Sequence, residues 1–351
     1  MKKLLLISNK VFHYRVSIYN YFARNFREYG WEFIVRSNEL QKDNPYHIQF
    51  DFKEIPFNFF IYKKEIENIN PDVVIIFLHL KDIIMWSLIH WLKIKKIPIV
   101  YWNHGINLQD PQNKLKYFLF NYLHTLSNAI ILYSENEMKY IKKKNRHKVS
   151  IANNTINFED IPEIKESKEQ IKKELDIQFE KVVLFVGRIQ EYKKLHHLIE
   201  IFNEKNTKEI GLVIVGQCLY KGTLEKMNKD NTVYLGEIYD PVKINKIYKM
   251  ADVFSMPGVI GLSLNHAFYW GLPVVTENGL HSPEISHLKN GYNGFIVQNN
   301  DVIELKNKIS LLLENDAKRL EFSNNARKEI FSNGSIINMF NGYINCLNTL
   351  T

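Results

Sequence analysis

Short continuous apolar runs, many of them β-branched, alternate along this chain with longer segments whose apolar positions recur at helical spacing. Continuous runs suit strands buried on both faces, and their alternation with helices is the pattern of parallel α/β layers. In the first half the spacing predicts strands near 3–8, 31–36, 72–78, 97–101 and 129–133 and helices near 14–28, 81–95, 112–126 and 135–144. A second set of strands is predicted near 182–186, 212–215, 232–235, 252–256, 273–275 and 294–297, followed by helix from about 302 to 350. Between the sets the composition shifts sharply at Phe158-Glu159-Asp160-Ile161-Pro162-Glu163 and the charged run behind it. That stretch reads as a linker and the first helix of a second domain, so two Rossmann-like sheets are expected, over 1–160 and 161–330.

One apolar stretch competes with this reading. Val73 to Leu80 and Ile83 to Leu92 are nearly continuous, but a membrane span would hold Lys81-Asp82 at mid-bilayer at a cost of several kcal/mol. Strand, turn and helix is the better assignment. The start, Lys2-Lys3-Leu4-Leu5-Leu6-Ile7, has too short an apolar core for a signal peptide and reads as a first buried strand.

The chain has 351 residues, 45% apolar and 24% charged, which suits two ordinary globular domains and excludes disordered and collagen-like classes. Its net charge of +8 is uneven: residues 1–165 hold 24 Lys and Arg against 16 Asp and Glu, and the rest balances. A basic half invites an anionic partner such as nucleic acid, an anionic membrane surface or a phosphorylated substrate, or it is a solvated lysine-rich face. Nucleic acid is not expected, because no reading motif accompanies the charge. Cys218 and Cys346 stand far apart, so neither a disulfide framework nor a zinc site is expected, and a cytoplasmic setting fits.

Two segments carry the chemistry. In Val182-Val183-Leu184-Phe185-Val186-Gly187-Arg188 a β-branched run ends in a turn glycine and delivers Arg188, then Lys193, to the carboxyl end of a strand, where α/β sheets bind ligands. In Pro257-Gly258-Val259-Ile260-Gly261-Leu262-Ser263-Leu264-Asn265-His266-Ala267 two glycines lead into a short helix stopped by Gly271 and Pro273. Bare N–H groups near Gly261, Leu262 and Ser263 would face an anion from that helix start. Together the segments describe a diphosphate site, with Arg188 as planar fork and Lys193 as point charge. The alternative is a surface Arg-Lys pair beside a turn.

Both segments resemble the donor half of retaining glycosyltransferases of family 4, which have the GT-B fold of two Rossmann-like domains facing across a cleft. Gly187, Arg188 and Lys193 match the first part of the family pattern; Gly261, Leu262, Ala267, Gly271, Pro273 and Glu284 match the second. The resemblance covers most of residues 150–345. It departs at the two motif glutamates, whose positions are occupied by Gly258 and His266. The resemblance implies a nucleotide-sugar donor in the second domain, no metal or other cofactor, and a last helix, 331–351, that crosses back to the first domain. It also implies that His266 meets the ribose hydroxyls, with a structural histidine as the alternative. Gly258 cannot hold sugar hydroxyls through a side chain, so Glu277, His281 and Glu284 become candidates, Glu284 also suiting a helix start.

In the first domain Tyr101-Trp102-Asn103-His104-Gly105 follows a strand, and the resemblance sets His104 close to the transferred sugar, against the alternative of a core histidine. The loop Asn9-Lys10-Val11-Phe12-His13-Tyr14-Arg15 lies where relatives contact the acceptor but lacks their glycines, so His13 and Arg15 are either acceptor or surface residues. Trp86 and Trp91 with Lys93, Lys95 and Lys96, and Lys142-Lys143-Lys144 with Arg146 and Lys148, suit an anionic bilayer interface or a helix packed on its own sheet with a polar rim. The expected function is metal-independent, retaining sugar transfer to a glycan, commonly a lipid-linked one, in capsule, lipopolysaccharide or exopolysaccharide synthesis. The rivals are a catalytically silent partner subunit and a sugar-nucleotide epimerase of the same fold. The epimerase is disfavoured by the missing carboxylates. A dinucleotide oxidoreductase is disfavoured because no Gly-x-Gly-x-x-Gly occurs.

Overall fold

The computed structural model describes residues 1–42, 44–77, 79, 81–106, 110, 112–204, 209–219, 221–226 and 230–350. It divides into two compact units, one of Met1–Asn157 with Ile336–Thr351 and one of Phe158–Ser335.

Unit 1 begins with β1 (Lys2–Val11), α1 (His13–Glu28), β2 (Trp31–Leu40), β3 (Asp51–Glu54), α2 (Phe59–Ile69), β4 (Val73–Phe77) and α3 (Ile83–Ile94). It continues with β5 (Ile99–Trp102), α4 (Lys114–Leu126), β6 (Ala129–Leu132) and β7 (Val149–Ile151). The strands form one parallel sheet in the order β3-β2-β1-β4-β5-β6-β7. Both faces are covered, which is why the strands are continuously apolar. Along β1, Leu4 and Leu6 enter one core while Leu5 and Ile7 enter the other, and β4 repeats this with Val73 and Ile75 against Val74 and Ile76. Each such side chain contributes roughly 1.5–3 kcal/mol of transfer free energy.

Unit 2 contains α5 (Lys168–Glu174), β8 (Lys181–Val186), α6 (Leu195–Glu204), β9 (Ile210–Val215), α7 (Lys221–Leu224), β10 (Thr232–Tyr234) and α8 (Pro241–Met250). Then come β11 (Val253–Ser255), α9 (Leu262–Tyr269), β12 (Val274–Glu277), β13 (Gly294–Val297), α10 (Val302–Glu314) and α11 (Asp316–Asn333). Its parallel sheet runs β10-β9-β8-β11-β12-β13. The last helix, α12 (Ile336–Asn348), belongs to unit 1. There Phe340 and Tyr343 pack on Phe26 and Phe22 with ring centres 4.8 Å apart in both pairs. Gly342 permits this, since a Cβ there would lie 2.2 Å from the Ile151 carbonyl.

The expected sheets are present, and the differences from expectation are local. Residues 135–144 form two 3-10 turns, Glu135–Tyr140 and Lys143–Lys148, instead of one α-helix. The short β3 and β7 lie at the two edges of their sheet, where three or four residues give too little pattern to read. The helical stretch from 302 breaks into three at Asn315 and Gly334, Asn315 capping α11 through the Lys318 N–H at 2.9 Å. Leu78, the last residue of an expected strand, lies outside the described residues.

Candidate functional site

Gly187, Arg188, Lys193, Gly258, Gly261, Leu262, Ser263, His266 and Glu284 all lie in unit 2, and His13, Arg15 and His104 in unit 1. In unit 2 the site is shaped by main chain meeting main chain. Gly187, directly after β8, bonds through its N–H to the Val215 carbonyl at 2.9 Å. A Cβ on it would lie 2.8 Å from Met256 Cε. Gly258, in the loop after β11, donates to the Lys193 carbonyl at 3.1 Å while Val259 donates to that of Tyr192 at 3.1 Å. A Cβ on Gly258 would sit 2.0 Å from the Tyr192 oxygen, so no side chain fits where the resembled pattern has its first glutamate.

This pairing sets Lys193 against the glycine loop, with its ammonium donating to the Val259 carbonyl and lying 3.5 Å from Met256 Sδ. Burial lowers the Lys193 pKa to about 8; Arg188 adds to the shift and Glu284 opposes it. Arg188 is exposed and has no ion pair or hydrogen bond among the described residues. Neither cation is ion-paired to a carboxylate among the described residues, although the Glu284 charge acts on Lys193, and two cations so gathered at one strand end suit an anion. The neighbouring Lys194 is different: it donates to Glu277 Oε2 at 2.6 Å and to the Asn299 and Asn300 side chains at 2.7 Å.

Gly261 caps α9 without a side-chain bond, and the first turn of that helix holds no acid. The start of α9 therefore offers N–H groups and the positive end of the helix. A Cβ on Gly261 would be only 3.5 Å from Ser282 Oγ, an ordinary contact, so this glycine is not forced as Gly258 is. One turn on, the His266 ring stacks on Tyr248 with centres 3.9 Å apart, and its Nε2 lies 2.7 Å from Asn245 Oδ1. Trp270 Nε1 donates to that same oxygen at 2.8 Å, so His266 Nε2 must carry its hydrogen. Nδ1 is left as an acceptor, and burial holds the imidazole neutral by lowering its pKa to about 3.

Two sugar-contact candidates are corrected. Glu277 is buried and saturated by Lys194, by His197 Nδ1 at 2.5 Å and by the Asn300 N–H at 2.8 Å. His281 accepts the Ile260 N–H at Nδ1, 3.2 Å away, and donates from Nε2 to the Glu277 carbonyl at 2.8 Å. His281 thus spends both ring nitrogens bracing the glycine loop, and the Glu277 carboxylate spends three bonds holding Lys194, His197 and the Asn300 N–H. Glu284, by contrast, is buried in the first turn of a 3-10 stretch, Pro283–His287, and acts on Lys193 through its charge.

In unit 1, His104 follows β5 with a side chain 32% exposed. Its Nδ1 donates to Glu137 Oε1 at 2.8 Å, while Glu137 Oε2 accepts the N–H groups of Tyr133 at 2.8 Å and Ser134 at 3.1 Å. A carboxylate only accepts, so this bond fixes the His104 tautomer and leaves Nε2 with its lone pair outward. Glu137 went unnoticed in the sequence; its signal was the Ser-x-x-Glu spacing after β6. His13 starts α1 and lies 3.0 Å through Nδ1 from Gln41 Oε1, half-buried. Arg15 is a buried residue, not a surface one.

The basic clusters also change meaning. Trp86 and Trp91 are half-buried and pack on the core beneath α3. The large apolar and aromatic side chains that α3 and α4 expose are instead Ile83, Ile94, Leu115, Phe118 and Tyr122. Lys148 donates to the Ser127 carbonyl at 3.0 Å and lies 3.4 Å from those of His124 and Thr125, capping the end of α4. Lys142, Lys143 and Lys144 remain exposed.

The family described as Glycosyl transferases group 1 matches residues 167–329, and Glycosyltransferase Family 4 matches residues 14–160. A Staphylococcus aureus (strain COL) poly(ribitol-phosphate) alpha-N-acetylglucosaminyltransferase is 22% identical over 265 residues, 73% of this chain and 51% of the relative. The N,N'-diacetylbacillosaminyl-diphospho-undecaprenol alpha-1,3-N-acetylgalactosaminyltransferase of Campylobacter jejuni is 25% identical over 328 residues, 88% of this chain and 83% of the relative. The chain spans about half the length of the first curated relatives it matches. Among solved structures, HepE from Anabaena in complex with UDP-glucose superposes with a TM-score of 0.79 at 14% identity, covering 99% of this chain and 100% of the other.

Proposed function

The chain belongs to glycosyltransferase family 4, with the two Rossmann-like units of the GT-B fold, and from that membership and the site in unit 2 we propose that it transfers a sugar from a nucleotide-sugar donor to a glycan acceptor. The observation that carries this reading is the pair of cations, Arg188 and Lys193, gathered at the end of β8 with no carboxylate ion-paired to either among the described residues. As the bond to the anomeric carbon breaks, negative charge grows on the leaving diphosphate, and preorganised cations and N–H groups stabilise it. Arg188 and Lys193 meet that charge, assisted by the N–H groups of Gly261, Leu262 and Ser263. Fixed charge of this kind lets the reaction proceed without a metal. His266 Nδ1 accepts a ribose hydroxyl, Gly187 and Gly258 let the main chain close on the phosphates, and Glu284 tempers Lys193.

In unit 1, His104 presents Nε2 to the reacting groups, and His13 and Arg15 take the acceptor. Retention of anomeric configuration and a lipid-linked acceptor rest on the family and on relatives such as the Campylobacter enzyme, whose name carries a diphospho-undecaprenol. Among the described residues no helix is long and apolar enough to cross a membrane. Ile83, Ile94, Leu115 and Phe118 beside Lys93, Lys114 and Lys116 give unit 1 a surface suited to an anionic bilayer, which sedimentation with anionic and neutral vesicles at two salt concentrations tests.

The decisive experiment is a thermal-shift screen with UDP-, GDP-, ADP-, dTDP- and CMP-sugars, UDP-sugars first because HepE is crystallised with UDP-glucose. A donor at 100 times its Kd should stabilise the protein by about 2.7 kcal/mol. If no nucleotide sugar raises Tm, the donor site is refuted. Gly258, where no side chain fits, keeps one alternative alive, a silent subunit that binds donor without turning it over. Donor hydrolysis, however slow, excludes that alternative.

A further inference from the structure

Three polar groups in the interior of unit 1 share one deficit. Arg15, in the first turn of α1, is 6% exposed, and its Nη1 is fully buried without an acceptor. Trp102 Nε1 and the Tyr343 hydroxyl are likewise buried and unpartnered. The groups are neighbours: the Arg15 guanidinium carbon lies 4.7 Å from the centre of the Trp102 ring, and the Trp102 and Tyr343 rings are 5.3 Å apart. Further rings close the cage, with Tyr14 at 5.3 Å and Tyr133 at 5.9 Å from the guanidinium carbon.

Guanidinium and indole N–H groups only donate, and a phenol can donate. A phenol also accepts, yet none of the three groups lies within hydrogen-bond reach of an acceptor among the described residues. Ring faces offset part of the cost of burying the cation, but they do not satisfy its N–H groups. Arg15 cannot shed its proton, and among the described residues it has no carboxylate partner, so a purely structural role would be served better by an apolar side chain. Trp102, Tyr133 and Tyr343 are buried, whereas Tyr14 is half-buried, and the half-buried ring of His104 has its centre 4.6 Å from that of Tyr133. The least covered neighbours of the cage are thus Tyr14 and the candidate transfer histidine.

We propose that Arg15, Trp102 Nε1 and the Tyr343 hydroxyl form an oxyanion subsite in unit 1 that takes a phosphate or carboxylate group of the acceptor. The assignment of this anion to the acceptor rests on reading unit 1 as the acceptor-binding half. An acceptor without a negative group near its reacting end would leave three buried donors unmet and so be rejected.

Calorimetric titration of full-chain protein carrying Arg188→Ala and Lys193→Ala, which silences the cations of unit 2, tests the subsite with inorganic phosphate and with acetate. Saturable binding is expected, weakened about tenfold or more by Arg15→Gln and about fivefold by Tyr343→Phe, as for loss of a charged and a neutral donor. Preference for phosphate points to a phosphate-bearing acceptor, preference for acetate to a uronate-type carboxylate, and either supports the subsite. Binding of neither ion, or affinity unchanged in both variants, overturns it and leaves trapped water as the missing acceptor. Should Arg15→Gln fail to fold, Tyr343→Phe, which removes a single oxygen, carries the test. No donor or transfer step enters the titration, so a failed transfer assay would not mimic failure of the subsite.

Discussion

The two units build their polar sites by opposite means. In unit 2 the main chain does it: the Gly258 loop is hydrogen-bonded to the turn at Tyr192 and Lys193, and Gly187 lies so close to Gly216 that a Cβ on the latter would meet its oxygen at 2.0 Å. In unit 1 side chains do it: Glu137 orients His104, and an aromatic cage holds Arg15. Sites of the first kind leave glycines in the sequence at fixed offsets from the charged residues. Of the second kind, the cage leaves no local trace, because Arg15, Trp102, Tyr133 and Tyr343 come from four separate stretches of the chain.

The strongest way to break this comparison is to remove the charge that the main chain positions. Arg188→Ala or Lys193→Ala should lower kcat/KM for transfer by about 2–4 kcal/mol, the range for a preorganised charge donor. Tm should hold. Full activity in Arg188→Ala protein with a normal Tm would detach the strand end from the chemistry.

Next in size is a contrast between two glycines. Gly258→Ala must move the Tyr192–Lys193 turn and should cost about 1–3 kcal/mol of stability together with nucleotide affinity. Gly261→Ala meets nothing closer than 3.5 Å and should leave Tm near normal. Equal effects in a melting series would show that the close approach is not what the loop needs.

His266→Ala should weaken free nucleoside diphosphate as well as intact donor by about 1–2 kcal/mol. Unchanged nucleotide affinity by calorimetry would make the stack on Tyr248 purely structural. For unit 1, Glu137→Gln should lower kcat about tenfold with KM nearly constant, the signature of a lost transition-state interaction. Equal losses in nucleotide binding and kcat would move His104 out of the transfer step.

The smallest effect is a pH dependence. The Lys193 pKa is lowered to about 8 from an ordinary value of 10.5, so between those limits the unfolded chain holds a proton that the folded one has released. Stability from this residue therefore rises with pH over that window, while the charge that grips diphosphate disappears. Nucleotide affinity should fall above pH 8 as Tm is sustained. An affinity flat to pH 10 would remove Lys193 from the clamp.

This contrast also explains how much could be read beforehand. β8, β11, Gly187, Arg188, Lys193 and the start of α9 were legible because apolar continuity, turn glycines and charge follow one another within a few residues. The partners of Glu277 and His281, Lys194 and the Ile260 N–H, were not legible because they are distant in sequence, and a polar residue after a strand looks alike whether it braces a loop or meets a ligand. Arg15 was legible as a cation just after β1 but not as a buried one, since Trp102 and Tyr343, which pack around it, come from distant parts of the chain. The tryptophans of α3 suggested a lipid-facing side, yet the groups that remain exposed are the smaller Ile83 and Ile94, which a pattern of large aromatics does not flag.

The chain leaves unit 1 at Asn157 and re-enters it at Ile336, and this routing sets an order of events during synthesis. Unit 2 has all of its residues once Ser335 is made, whereas the aromatic face of α1, with Phe22 and Phe26, still waits for Phe340 and Tyr343. Unit 1 is therefore begun before unit 2 and completed after it, and a ribosome stalled within unit 2 would present unit 1 with one apolar face bare. The same helix brings Tyr343 to Arg15, so the proposed anion subsite comes into being only after the whole of unit 2 has been made.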